Sequence, residues 1–178
     1  MSRASGYARV DSDWYVEPAW VVDALLEKEQ FTGTIWDPAC GSGNIVRRCW
    51  GADLQAVGTD ISDRGFGVGV VDFLKMDSFR GVEHIICNPP YGILQEWIDH
   101  ALALVPGKVC VLARLAFLEG QGRKGWFENG CLARVWTSSR RVSMPPGGTD
   151  IVPKGGSVAY AWFVFERGHT GPYAGGWL

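Results

Sequence analysis

The chain has 178 residues, of which 47% are hydrophobic and 20% charged. These values are ordinary for a globular protein and exclude a disordered chain. The net charge of −2 divides into −7 over residues 1–100 and +5 over residues 101–178, which predicts that different surfaces meet different partners.

The length predicts one domain over residues 1–178, with residues 1–13 loose. No apolar run approaches the ~20 residues that cross a bilayer. The five cysteines form no CxxC pair, and the three histidines have no spacing typical of metal ligands. These features predict a cytoplasmic protein with reduced thiols, no metal and no membrane partner.

Helical and strand-like segments alternate along the first two thirds of the chain. Helices are predicted at 18–29, 43–50 and 93–105, and strands at 34–36, 55–59, 67–71, 84–87 and 109–113. Strands separated by helices are typical of an α/β protein with a mostly parallel sheet and helices on both faces. Further on, strands at 132–137 and 157–166 surround a Gly/Pro-rich loop, 144–156, which predicts an antiparallel C-terminal hairpin.

Polar side chains follow four of the predicted strands. Asp37, Asp60, Asp72 and Asn88 each come directly after an apolar run. In an open α/β sheet, ligands bind at the carboxyl ends of the strands. We therefore expect these side chains to share one site.

The first of these turns, residues 37–43, reads Asp-Pro-Ala-Cys-Gly-Ser-Gly and precedes a helix. Its glycines allow the backbone to approach a ligand closely, but it matches neither the dinucleotide fingerprint nor a phosphate loop. Asp60 stands where a second-strand carboxylate accepts hydrogen bonds from ribose hydroxyls, and Asp72-Phe73 offers a carboxylate for an exocyclic amine and a ring for a base. The sequence thus predicts a pocket for a nucleoside-bearing cofactor without a pyrophosphate.

The tetrapeptide Asn88-Pro89-Pro90-Tyr91 follows the strand at 84–87. Its prolines make the backbone rigid and leave carbonyl groups free to accept hydrogen bonds. The Asn88 oxygen and the Pro89 carbonyl could together accept both hydrogens of a planar amino group, while Tyr91 stacks on the ring that carries it.

These two motifs, in this order, resemble S-adenosylmethionine-dependent amino-methyltransferases, especially DNA adenine-N6 methyltransferases, over residues 14–166. The resemblance implies a Rossmann-like class I methyltransferase fold, a flipped adenine in duplex DNA as substrate, and S-adenosylhomocysteine as product. It implies catalytic roles for Asn88, Pro89, Pro90 and Tyr91, with Tyr91 also binding substrate. It implies that the cofactor is bound by Trp14, Tyr15, Pro18, Asp37, Ala39, Cys40, Gly41, Gly43, Asp60, Ile61, Asp72, Phe73 and Asn88.

Two features refine the resemblance. Residues 13–18 look like the family's N-terminal cofactor-binding element, which usually reads aromatic-x-Thr-Pro, but Glu17 stands here in place of the threonine. The compact length and the ending at 159–164 are similar to those of small phage-borne members. With no room for a large recognition domain, segment 139–157 is the candidate recognition loop, and Arg140 and Arg141 are candidate phosphate contacts.

Three other functions stay open at this stage. A protein glutamine methyltransferase would also present a planar amide to the Asn-Pro-Pro-Tyr turn, although only about 30 residues precede the first strand, where such enzymes usually carry a helical recognition domain. An RNA amino-methyltransferase would need the same chemistry. A methyltransferase-like subunit without activity would retain the fold but not require this set of motifs.

Overall fold

The computed structural model describes residues 14–153 and 155–178, so the segment expected to be loose, 1–13, lies outside the described residues. The described chain forms four α-helices: α1 Ala19–Lys28, α2 Asn44–Gly51, α3 Leu94–Leu104 and α4 Gln121–Asn129. It forms seven strands: β1 Ile35–Asp37, β2 Ala56–Gly58, β3 His84–Cys87, β4 Lys108–Arg114, β5 Leu132–Thr137, β6 Tyr160–Glu166 and β7 Ala174–Trp177.

The seven strands form one sheet in the order β2-β1-β3-β4-β6-β5-β7. Strand β6 runs antiparallel to β4 and β5, its neighbours on either side. The other four neighbouring pairs are parallel. The predicted α/β fold, with a mostly parallel sheet and an antiparallel C-terminal hairpin, is confirmed.

Alternate residues of the central strands point to opposite faces of the sheet and build two separate cores. On β4, Val109, Val111 and Ala113 pack with α3, whereas Cys110 and Leu112 pack with α1 and α2. Both faces of the sheet are covered, and the interiors of the central strands are apolar, as the continuous apolar runs predicted.

The prediction of a strand at 67–71 is wrong. This segment runs beside the edge strand β2 and makes one isolated bridge between Asp60 and Val70. Gly67 has a positive φ of 96°, which interrupts an extended conformation. Val68 and Val70 are 71% and 62% exposed, so no buried face stabilises regular pairing here.

Helix α4 and strand β7 were not predicted. The helix contains two glycines and no buried residue, so it has no apolar periodicity to detect. Strand β7 has only four residues, two of them glycine. Within the described chain, no helix combines the length and apolar character that crossing a bilayer requires.

Candidate functional site

A cleft lies at the carboxyl ends of β1, β2 and β3. Its volume is about 840 Å³ when the open solvent at its mouth is included. This is the edge of the sheet where the four polar strand-end residues were expected to meet, and all four line the cleft. Of the predicted site residues, it is lined by Trp14, Tyr15, Asp37, Ala39, Cys40, Gly41, Asp60, Ile61, Asp72, Phe73, Asn88 and Pro90.

The turn between β1 and α2 approaches the cleft with its backbone. Gly41 and Gly43 have positive φ values of 51° and 83°, a region that side chains disfavour. A Cβ at Gly41 would lie 2.5 Å from the indole nitrogen of Trp14, and one at Gly43 would lie 2.3 Å from the ring of Phe66. Gly43 does not line the cleft, but its positive φ allows the chain to pass from this turn into α2.

Asp60 follows β2 and is only 6% exposed. Its Oδ2 accepts a hydrogen bond from the Gly41 amide at 2.8 Å, and its Oδ1 accepts one from the Ser62 amide at 2.9 Å. A carboxylate offers about four acceptor positions, so Asp60 keeps capacity for a ligand while it shapes the glycine turn.

Arg64 forms part of the cleft wall that the sequence did not reveal. Its guanidinium carbon lies 4.1 Å from the centre of the Trp14 ring. Its Nε lies 3.5 Å from Oδ1 of Asp60 but makes no hydrogen bond within the described chain. Residues 60–64 do not form a helix, so the four-residue separation from Asp60 gave no signal of this contact.

Two acids are buried on the floor of the cleft. Asp37 is 2% exposed, and burial, together with the negative charge of Glu17, raises its pKa well above the usual range. Burial also raises the pKa of Glu17, although hydrogen bonds from its own backbone, Asn88 and Asn44 oppose this. Burial and the nearby Asp37 raise the pKa of the Cys40 thiol to about 12, so the thiol is protonated and a poor nucleophile.

Asn88 is held at both ends of its side-chain amide. Its Nδ2 donates to the Tyr15 carbonyl at 2.9 Å and to Oε2 of Glu17 at 3.0 Å. Its Oδ1 accepts a hydrogen bond from the Tyr91 hydroxyl at 2.8 Å. Because burial raises the pKa of Tyr91, this hydroxyl stays protonated and able to donate.

Six predicted site residues do not line the cleft: Pro18, Gly43, Pro89, Tyr91, Arg140 and Arg141. Pro18 caps the N-terminus of α1 instead. Tyr91 borders an adjacent open groove, which also includes Phe117 and Arg123. Arg140 is exposed and lies over Trp20, with 4.7 Å between its guanidinium carbon and the ring centre.

The Gly/Pro-rich loop reaches back to the cleft through its first residues. The Val16 amide donates to the Pro145 carbonyl, and the Gly147 amide donates to the Trp14 carbonyl, both at 2.9 Å. Trp14–Val16, which we call the strap, is therefore fixed to the candidate recognition loop on one side while it lines the cleft on the other.

Several lining residues were not named as ligands from the sequence. Most of them have apolar or small side chains, which give no chemical signal, whereas Glu17, Asn44 and Arg64 are polar: Val16, Glu17, Pro38, Ser42, Asn44, Ile45, Arg64, Val71, Leu74, Ile93 and Trp97. Among residues 14–153 and 155–178, no cluster of three or more His, Cys, Asp or Glu could hold a metal ion.

Solved methyltransferases of very different sequence share this fold. A candidate RNA methyltransferase from Pyrococcus horikoshii has a TM-score of 0.65 and 13% identity over 90% of each chain. A modification subunit of a candidate type I restriction enzyme from Vibrio vulnificus has a TM-score of 0.60 and 15% identity, over 90% of this chain and 46% of that one. Magnesium protoporphyrin IX methyltransferase from Synechocystis, solved with bound S-adenosylmethionine, has a TM-score of 0.54 and 14% identity, over 84% and 79%.

These comparisons establish the class I methyltransferase fold for this chain. At such low identity they establish the fold alone. No family model and no curated protein matches the sequence.

Proposed function

We propose that this protein transfers a methyl group from S-adenosylmethionine to the N6 amine of adenine in DNA. One observation carries the proposal: Asn88 and Pro90, from the Asn-Pro-Pro-Tyr turn, line the same cleft as Gly41 and Asp60. The residues that we propose to hold the amine and those that we propose to hold the cofactor therefore line a single cavity.

The charge of the cleft suits this cofactor. Among the described residues, four acids line the cleft against one base, Arg64: Glu17, Asp37, Asp60 and Asp72. When bound, S-adenosylmethionine supplies an electrophilic methyl group on a positively charged sulfur. The Gly41 turn would admit its methionine part, Asp60 would accept hydrogen bonds from its ribose, and Asp72 with Phe73 would contact its adenine.

On the substrate side, the acceptors belong to the rigid turn after β3. Asn88 Oδ1 and the Pro89 carbonyl would each accept one hydrogen of the target amine, which orients the nitrogen lone pair toward the cleft. Tyr91 would stack on the base. Because N6 of adenine lies inside a stacked duplex, the base must flip out to reach Asn88.

Contact with the rest of the DNA would come from segment 139–157 and from Arg140 and Arg141, which are both exposed. We place the whole reaction in one domain, residues 1–178. The link between loop and strap supports this, because it joins the candidate recognition segment directly to the cleft wall.

The test offers the purified protein radiolabelled S-adenosylmethionine with duplex DNA, RNA or a protein extract in parallel. We expect label in DNA and N6-methyladenine in its digested nucleosides. The Asn88→Ala variant should lose about 10²–10³ in turnover, as for one preorganised hydrogen-bonding group, with cofactor affinity within about threefold of wild type. Label in RNA or on protein glutamine would reassign the substrate, and no label in any fraction would refute the proposal.

A further inference from the structure

Glu17 is a buried carboxylate that joins the two halves of the cleft. It is 7% exposed, and its two oxygens accept hydrogen bonds from different elements. Oε1 accepts from Nδ2 of Asn44, the first residue of α2, at 3.2 Å, and Oε2 accepts from Nδ2 of Asn88, after β3, at 3.0 Å. The Glu17 carbonyl also accepts from Asn44 at 2.6 Å.

The two ends of an asparagine amide are nearly the same size, so its neighbours decide which end faces which way. Both carboxyl oxygens of Glu17 act as acceptors here, and the Tyr15 carbonyl can only accept. Glu17 and this carbonyl both contact the Asn88 side-chain nitrogen, at 3.0 and 2.9 Å. Two acceptors on one side therefore keep the NH₂ of Asn88 there and turn its oxygen toward the Tyr91 hydroxyl.

We propose that Glu17 is a positioning residue for the reaction, which holds the amide of Asn88 with its oxygen toward the substrate amine. This inference rests on the proposed function, because it gives Asn88 Oδ1 the task of accepting that amine. Without Glu17, the amide could rotate by half a turn and present NH₂ to NH₂, which would repel the substrate.

The first test is Glu17→Gln, which keeps the size of the side chain but leaves it one acceptor oxygen and one donor NH₂. Because Asn44 and Asn88 both donate to Glu17, a glutamine can accept from only one of them. We expect kcat to fall about 10–100-fold, with the KM for DNA and the Kd for S-adenosylmethionine within about threefold. Glu27→Gln, at an exposed position on the following helix α1, is the matched control and should leave all three unchanged.

The second test reverses the polarity of the pair. In the Asn88→Asp variant, two carboxyl groups face each other. When Glu17→Gln is combined with it, the NH₂ of the new glutamine donates to the new aspartate, while the glutamine oxygen still accepts from Asn44. We expect Glu17→Gln to lower kcat in the wild-type background and to raise kcat at least about fivefold in the Asn88→Asp background. A residue with a merely structural role would lower kcat in both. Thermal unfolding of each variant identifies any loss of fold. If the single variant Glu17→Gln does not fold, the comparison of kcat between Asn88→Asp and the double variant still tests the proposal.

The two proposals fail in different ways. If the wild-type protein labels none of the three substrates, the proposed function is wrong and the role of Glu17 falls with it. If the wild-type protein labels DNA but Glu17→Gln keeps its kcat, or lowers kcat in both backgrounds, only the positioning role is overturned.

Discussion

At the scale of single residues, Asp60 shapes the turns beside the cleft and is also the residue that we propose to bind the ribose of the cofactor. Its bonds to the Gly41 and Ser62 amides hold the turns on either side of the cleft. Its remaining acceptor capacity faces the cleft. An asparagine keeps the side-chain size and one oxygen for the Gly41 amide, but it removes the charge that strengthens bonds to hydroxyl donors.

We therefore predict that Asp60→Asn weakens S-adenosylmethionine binding by about tenfold or more, since hydrogen bonds to charged groups contribute about 1.5–3 kcal/mol each. Isothermal titration calorimetry measures the effect directly. Asp77→Asn, at an exposed position away from the cleft, should bind as the wild type does. An unchanged Kd for the Asp60 variant would place the ribose elsewhere.

The second prediction at this scale concerns Arg140 and Arg141. Both are exposed, and Arg140 packs over Trp20 beside the start of α1. If they bind DNA phosphates, replacing both by alanine reduces the slope of log K against log salt by about one unit for each phosphate that is no longer neutralised. Titrations of duplex DNA at several salt concentrations give this slope. A slope equal to that of the wild type would show that these arginines are only solvated surface.

The sequence predicts some of the residues that line the cleft and not others, for a physical reason. Asp37, Asp60, Asp72 and Asn88 were expected to share one site, and all four line the cleft, because each follows its own strand-like run, which is a local signal. The contacts of Glu17 were not predicted, because its partners Asn44 and Asn88 lie 27 and 71 residues away. Contacts across such distances depend on the finished fold and leave no pattern in the neighbouring sequence.

At the scale of elements, the strap and the Gly/Pro-rich loop act as one unit. Besides the two backbone hydrogen bonds between them, the ring of Trp14 lies flush against the loop. A Cβ at Gly147 would come within 2.1 Å of that ring, although Gly147 does not line the cleft. Glycine is therefore required here for close approach rather than for a turn.

We predict that Gly147→Ala displaces Trp14 and weakens S-adenosylmethionine binding about fivefold or more, since overpacking costs about 1–3 kcal/mol. Calorimetry on the variant tests this. Gly155→Ala is the control in the same loop, because a Cβ there meets no atom within 4 Å. Equal affinities for the two variants would mean that loop and cleft are independent.

Prediction of the elements failed where burial is low. The segment 67–71 has the apolar residues of a strand, but it lies at the sheet edge with Val68 and Val70 exposed and a glycine of positive φ at its start. Strand β7 forms from Ala-Gly-Gly-Trp, which has no strand pattern, because β5 offers it an unpaired edge. The central strands were predicted because both of their faces are buried.

At the scale of the whole molecule, Glu29 connects the α1 layer to the sheet. Its carboxylate accepts hydrogen bonds from Lys108 of β4 at 2.6 Å, and from Arg134 and Trp136 of β5 at 2.9 and 2.8 Å. Arg134 also binds Glu166 at the end of β6. One buried acid, at the opposite end of the strands from the cleft, thus joins the end of α1 to β4 and β5 directly and to β6 through Arg134.

This arrangement predicts how stability depends on pH. Burial alone would raise the pKa of Glu29, but hydrogen bonds from Arg134, Lys108 and Trp136 outweigh it and lower the pKa below its ordinary value of 4.5. A carboxyl group whose pKa is lower in the folded state stabilises the fold above the unfolded pKa, and this contribution is lost as the pH falls through the folded pKa.

We therefore expect Glu29→Gln to lower the free energy of unfolding by about 1–3 kcal/mol at pH 7, because it replaces the charged acceptor shared by Lys108 and Arg134 with a neutral amide. The difference from wild type should shrink as the pH falls from 4.5, the ordinary pKa, through the lower pKa of the folded state, because the wild-type carboxyl then becomes neutral as well. Urea unfolding at about pH 7, 5 and 3 measures it. The control is Glu128→Gln, which breaks the ion pair between Glu128 and Lys124, whose side chains are 61% and 74% exposed, respectively. It should change the free energy of unfolding by less than about 0.5 kcal/mol at every pH. A loss for Glu29→Gln that stays constant down to the lowest pH would show that shape, and not charge, is what Glu29 contributes.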